Sequence, residues 1–171
     1  MAAAVILPRN VEIEGADDSK KLTPKRRSLL SGEIRQRCLA WAVGSASPRY
    51  IEKHNIAVAT FHAMRVAVGR LAVRPARALA DGWAIPGLSI PCEGIIGGDG
   101  RSLSIACASI LAKVYRDRLM ERMAGRYPGY GLEKHKGYGT AEHVAALRRL
   151  GPSPIHRLTF APVSEFAAAA Q

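Results

Sequence analysis

Two short apolar runs each lead to an aspartate, and a long helix of small residues follows the second. The first run, Ala78-Leu79-Ala80, closes on Asp81. The second, within 90–97, passes into Gly98-Asp99, and the small-residue helix covers about 102–124. Strand, strand and helix in such close succession constrain the chain to an α/β fold in which helices cover a sheet. In such sheets ligands collect at the C-terminal ends of the strands. If the two strand ends are neighbours, Asp81 and Asp99 face each other, and two carboxylates at close range repel unless a cation neutralises them. Mg²⁺ and Mn²⁺ prefer oxygen ligands and suit such a pair. The residues alone equally allow each aspartate to cap a strand or a turn, Asp99 above all, since it sits in Gly97-Gly98-Asp99-Gly100.

The chain has 171 residues and is 48% hydrophobic, which predicts a single domain over 1–171 with a full core. No apolar run approaches the length of a membrane span. The opening Met-Ala-Ala-Ala-Val-Ile-Leu-Pro reads as a buried strand and not as a signal peptide. Cys38, Cys92 and Cys107 are odd in number and contain no Cys-x-x-Cys, which predicts reduced thiols, a cytoplasmic setting and no zinc site. The formal net charge of +11 predicts a polyanionic partner, because each neutralised phosphate releases counterions. Only 6% of residues are aromatic, so the partner is gripped by its backbone and not stacked along an aromatic platform.

Local signals predict the remaining elements. A strand at 2–7 is followed by a polar loop over 8–22. Thr23-Pro24 pairs an N-cap with a first-turn proline and opens a helix to about Cys38, with Leu30, Ile34 and Cys38 on its buried face. A strand at 39–46 precedes two helices, one from Ser47-Pro48 and one from Asn55 to about Leu71. Further strands are predicted at 77–81 and 90–97. Residues 125–139 read as a Gly/Tyr/Lys/His loop, Thr140 caps a helix that stops before Gly151-Pro152, and 164–171 form a weakly structured tail, a weak helix or frayed.

Several motifs occur in a fixed order: Asp18-Ser19-Lys20-Lys21-Leu22, Asp81-Gly82, Gly98-Asp99, Ala108-Ser109-Ile110-Leu111-Ala112-Lys113, Lys134-His135-Lys136-Gly137-Tyr138-Gly139-Thr140, Gly151-Pro152 and Phe160-Ala161-Pro162-Val163. With this set the chain resembles bacterial ribonuclease HII, the type 2 ribonuclease H, from Ala2 to Val163. The resemblance implies a ribonuclease H-like mixed sheet flanked by helices. It implies an endonuclease that hydrolyses the RNA strand of RNA–DNA hybrids and cuts on the 5′ side of ribonucleotides embedded in duplex DNA, a DNA-repair activity. Products carry a 3′-hydroxyl and a 5′-phosphate. Two Mn²⁺ or Mg²⁺ ions held by four carboxylates perform the hydrolysis. Asp81 and Asp99 correspond to the third and fourth ligands.

The family's first two ligands are an adjacent Asp-Glu pair on a first, central strand, followed by a Gly-Arg-Gly turn that reads the ribose 2′-hydroxyl. Neither motif occurs in this sequence. The central strand is therefore expected to be missing from the chain, leaving the strand at 2–7 separated from that at 77–81. The chain as given is expected to cut poorly or not at all, the alternative being a non-catalytic nucleic-acid-binding remnant of the same fold. Nucleic acid is expected to meet Ser19, Lys20 and Lys21 in the first loop, and Lys113 on the long helix, where pairing with Asp117 is the alternative. It is also expected to meet Lys134, Lys136 and Tyr138 in the basic loop; the resemblance assigns Tyr138 to stacking on the sugar beside the scissile junction. His135 reads as a surface histidine, and His156 and Arg157 as lining the same basic surface. A monomer without a membrane partner is expected.

Overall fold

The structure, a computed structural model, describes residues 1–167. In chain order its elements are β1 (Ala2–Ile6), α1 (Pro24–Arg37), β2 (Ala40–Gly44), α2 (Pro48–Gly69), β3 (Ala78–Asp81) and β4 (Cys92–Ile95). A 3-10 turn at Gly98–Gly100 follows, then α3 (Leu103–Arg126), α4 (Leu132–His135), α5 (Ala141–Leu150) and α6 (Val163–Ala167). The chain divides into two compact units. One holds Met1–Ala46 and Thr60–Tyr115; the other holds Ser47–Ala59 and the chain from Arg116 onward.

In the first unit, β1 and β2 pair antiparallel, with Ala2 opposite Gly44 and Ile6 opposite Ala40. β3 and β4 pair in parallel, with Ala78 opposite Cys92 and Asp81 opposite Ile95. The two pairs form separate two-stranded sheets, so β1 and β3 are not hydrogen-bonded to each other. Among the described residues no strand pairs with both β1 and β3, whose separation was expected from the sequence. A cavity of about 480 Å³ lies there, lined by β1, by β3 and by the small residues Ser104, Ala108 and Ala112 of α3.

α1 starts where the sequence says it should: the Thr23 hydroxyl accepts from the Arg26 N–H, and Pro24 occupies the first turn. Its inward side carries Leu30 and Ile34, fully buried against Cys107, Ile110 and Leu111 of α3 and Ile13 of the first loop. Cys38 is only half-buried, because it already caps the helix in extended conformation. Small residues allow close layers here. A Cβ built on Gly44 would stand 2.0 Å from the Ala63 carbonyl oxygen, so β2 lies directly on the α2 backbone.

In the second unit, the break expected at Asn55 is present. Asn55 has φ 69°, and its side-chain oxygen accepts from the Val58 N–H, capping the second half of α2. The core of this unit gathers Tyr130, Leu132, Ala146, Leu147 and Val163, with Met120, Met123 and Phe166 packed around them. Thr140 caps α5 by accepting from the His143 N–H. One reading is corrected: the 125–139 segment is not wholly a loop, since it contains the single turn α4. Of the tail read as a weak helix or frayed at 164–171, residues 164–167 belong to the short α6, and 168–171 lie outside the described residues.

Candidate active site

The site grows from the ends of β3 and β4. Asp81 is the last residue of β3, and one of its carboxylate oxygens accepts from the Gly98 N–H at 2.9 Å. That bond ties the end of β3 to the 3-10 turn carrying Asp99. The turn is entered through Gly97 at φ 64°, a left-handed conformation that glycine adopts without strain. Gly98 is buried against Ile105, whose Cδ1 would lie 2.6 Å from an added Cβ. Both ends of the Asp99 turn are therefore fixed.

The electrostatics reflect this crowding. Burial pushes the Asp99 carboxyl above its usual value, and the charges of Asp81 and Asp18 push it further. Lys20 opposes them, and a hydrogen bond with Asp18 adds to the rise. Three carboxylates and one ammonium from three segments thus act on one another. Asp18 was legible in its motif, but as a loop residue; only the folded chain places it beside Asp99.

A second set of bonds secures the loop that brings Lys20. The Ser19 side chain is buried and shares a 2.9 Å hydrogen bond with the Ser109 hydroxyl of α3. Arg27 of α1 reaches back to the same loop, with Nη1 donating to the carbonyls of Ser19 at 2.8 Å and Leu22 at 2.5 Å. The Lys20 N–H donates to an Asp18 carboxylate oxygen at 2.9 Å, which turns the tip. Lys20 and Lys21 are exposed, and Lys21 lies 3.3 Å from Asp17. Ser19 thus anchors the loop, and what the loop presents outward is its two ammonium groups. Arg27 gave no sequence signal, because a helical arginine eight residues from its partner follows no local pattern.

Lys113, on the first-unit part of α3, is half-buried. In the second unit, Tyr138 is 55% exposed, with the Arg116 guanidinium 4.8 Å from its ring centroid. Arg116 also lies 3.8 Å from Asp117. Lys134 is exposed and pairs with Glu142 at 2.8 Å; Lys136 is mostly covered and bonds Glu121 at 2.7 Å. The reading of His135 and His156 as surface residues is corrected: both are buried. Arg157, partly exposed, covers the Phe160 ring, 3.9 Å from its centroid.

The donor set can be weighed against the implied metal. Asp81 and Asp99 offer hard oxygens at one edge, with Asp18 adding negative charge and Lys20 opposing it. This fits a divalent cation of the Mg²⁺ or Mn²⁺ type. Two carboxylates balance one such ion, not two. Among the described residues, no group of three or more His, Cys, Asp or Glu comes together as a metal site. None of the described helices is long and apolar enough to cross a membrane.

One carboxylate at the end of β3 and another in the turn after β4, beside a small-residue helix in a mixed α/β unit, fit a ribonuclease H-like protein. The fold comparison agrees. The ribonuclease H2 of Pyrococcus horikoshii OT3 superposes with a TM-score of 0.72 at 21% identity, covering 91% of this chain and 81% of that one. The structure of the PCNA:RNase HII complex from Archaeoglobus fulgidus gives 0.69 at 23% identity, over 85% and 78%. The ribonuclease HII family profile matches residues 1–163, and the chain belongs to that family. It is 52% identical over 165 residues to the ribonuclease HII of Desulfitobacterium hafniense strain Y51 and 50% identical over 164 residues to that of Dechloromonas aromatica. It covers 64% of the first relative's length and 84% of the second's.

Proposed function

We propose that this chain carries part of the active site of a metal-dependent endonuclease acting on RNA–DNA hybrids and on ribonucleotides embedded in duplex DNA. The observation that carries the reading is the convergence of Asp81, Asp99 and Lys20 from three segments on one edge of the first unit. Asp81 and Asp99 hold a divalent cation, Mn²⁺ or Mg²⁺. When bound, the ion supplies charge to offset the scissile phosphate and acidity to the attacking water. Lys20 lies beside Asp99 and offsets a second phosphate charge, with Lys21 next to it and Ser19 anchoring both. Asp81 keeps the Asp99 turn in place through its bond to Gly98. Lys113, Lys134 and Lys136 bind the duplex backbone, and Tyr138 stacks on the sugar at the junction. The products carry a 3′-hydroxyl and a 5′-phosphate.

The remaining carboxylates come from a strand that enters the cavity between β1 and β3, where two strand edges face space and not each other. Until that strand is present, two carboxylates serve a reaction that the family performs with four. The chain over 1–171 therefore binds substrate and cuts it poorly. Its three free cysteines suit the reducing cytoplasm, and the protein works there as a monomer.

The test uses a labelled duplex with one embedded ribonucleotide, resolved by length with Mn²⁺, with Mg²⁺ and without metal. The chain over 1–171 should cut little. The same chain carrying an N-terminal strand with Asp-Glu and Gly-Arg-Gly should cut in a metal-dependent way. Vigorous cutting by 1–171 alone would mean that other groups hold the ions. An extended chain that binds the duplex and stays inert would favour a non-catalytic binding protein.

A further inference from the structure

His135, His143 and His156 lie together in the second unit, and all three are buried. The His135 and His143 rings stack with centroids 4.3 Å apart, and His143 Nε2 is 3.1 Å from His156 Nε2. The neighbours of each ring assign its tautomer. The Ser153 N–H donates to His156 Nδ1 at 3.0 Å, and the Ser153 hydroxyl meets the same nitrogen at 2.8 Å. That nitrogen carries no proton, so His156 holds its proton on Nε2 and donates it to His143 Nε2. His143 then holds its own on Nδ1 and donates it to the Tyr138 carbonyl at 2.9 Å. His135 is satisfied separately. Its Nδ1 accepts from the Gly137 N–H at 3.2 Å, and its Nε2 donates to the Tyr130 carbonyl at 2.8 Å. On every ring the unprotonated nitrogen already faces an N–H group. A further proton on any ring would set two donors against each other.

We propose that this three-histidine network positions Tyr138 and the 134–138 loop for nucleic acid, and that acid releases the loop by protonating the network. The proposal rests on the reading of that loop as a nucleic-acid contact. The loop needs an external hold. Lys136 and Gly137 are consecutive residues in the left-handed region, at φ 52° and 79°. The Tyr138 carbonyl receives both the Thr140 N–H, at 2.8 Å, and the His143 ring. The charged groups around the rings are mutually paired. Glu142 of α5 bonds Lys134 of α4, Glu121 of α3 bonds Lys136, and Lys136 also bonds the Glu133 carbonyl. Arg149 donates to the Gly129 carbonyl, Arg157 covers Phe160, and the Tyr130 ring packs 5.0 Å from His156. None of these groups is bonded to a bare ring nitrogen.

Burial holds His143 and His156 below their usual 6.5. The sign follows from linkage. Above pH about 6.5 neither the held nor the released state takes up a proton, and the network contributes fully. As the pH falls below that value the released state gains protons that the held state refuses. Release then becomes more favourable by up to about tenfold per pH unit for each of these two rings.

Two measurements on the chain over 1–171 test this without nucleic acid. Long-range imidazole ¹⁵N–¹H spectra at pH 7.5 should show protons on Nε2 of His156, Nδ1 of His143 and Nε2 of His135. Amide exchange, corrected for intrinsic rates, should show protection at Tyr138 and Thr140 falling at least about tenfold between pH 7.5 and 5.5. Protection in the α1 and α3 core should hold over the same range. In His143→Asn the side-chain amide can donate to the Tyr138 carbonyl and cannot titrate. That variant should keep its protection at neutral pH and lose most of the acid response. Other tautomers, a flat wild-type profile, or an unchanged acid response in His143→Asn would overturn the proposal. Failure of the loop's functional reading would show separately, as a Tyr138→Ala variant that binds duplex as well as the wild type.

Discussion

Cys107 lies fully buried among Leu30, Ile34 and Ile110, and burial raises its thiol to about 11. The thiolate is the reactive form, so Cys107 should resist alkylation by iodoacetamide at pH 8 in the folded chain and react once urea unfolds it. Rapid modification of Cys107 under native conditions would mean that the first core is open. Asp99 shows the same influence of surroundings in a half-buried carboxylate, where neighbouring negative charge adds to desolvation. Asp81, Asp99 and Lys20 each sit in a compact motif at a strand end, turn or loop tip, and it was the resemblance, not the bare residues, that singled them out. Asp18 beside Asp99, Arg27 reaching Ser19, and the ring-to-ring contact of His143 with His156 were not legible in the sequence. Each joins residues whose spacing follows no helical or strand period, so only the folded chain reveals the pair.

Among the elements, β2 depends on a glycine that looks unremarkable in sequence. Gly44→Ala would drive a methyl group into the Ala63 carbonyl and the Ala67 N–H, at 2.0 and 2.7 Å. Backbone on both sides leaves little room to yield, so the substitution should cost about 3 kcal/mol or more, at the upper end of overpacking effects. A denaturant melt within about 0.5 kcal/mol of wild type would contradict the packing of β2 on α2. Helix starts at Thr23-Pro24, Asn55 and Thr140 were legible because caps are local chemistry. The strands were legible because apolar runs ended at turn residues. The single turn α4 was not, since four residues entered through Gly131 at φ 73° offer no periodicity to read. The pairing of strands into two separate sheets followed from the resemblance and not from any residue pattern.

At the scale of the whole molecule, the proposed function makes partner binding salt-sensitive through the net charge of +11 and the exposed Lys20, Lys21 and Lys134. Lys20→Ala with Lys134→Ala should lower the log–log salt slope of duplex binding by about 0.9 per lost phosphate contact on B-form DNA. These lysines suit the test because Lys136, mostly covered and bonded to Glu121, would also lose packing. Salt-independent binding, or an unchanged slope, would remove this surface from the account. On the proposed function, Asp81 and Asp99 together hold the cation used for cutting. That assignment is tested most directly by the single-turnover cleavage rate of the strand-extended chain on a duplex with one ribonucleotide, in saturating Mn²⁺. Asp81→Asn and Asp99→Asn should each lower that rate by at least about a hundredfold, because an amide gives the ion no charge. Duplex affinity should stay near the wild-type value. Either variant cutting at the wild-type rate would contradict the assignment.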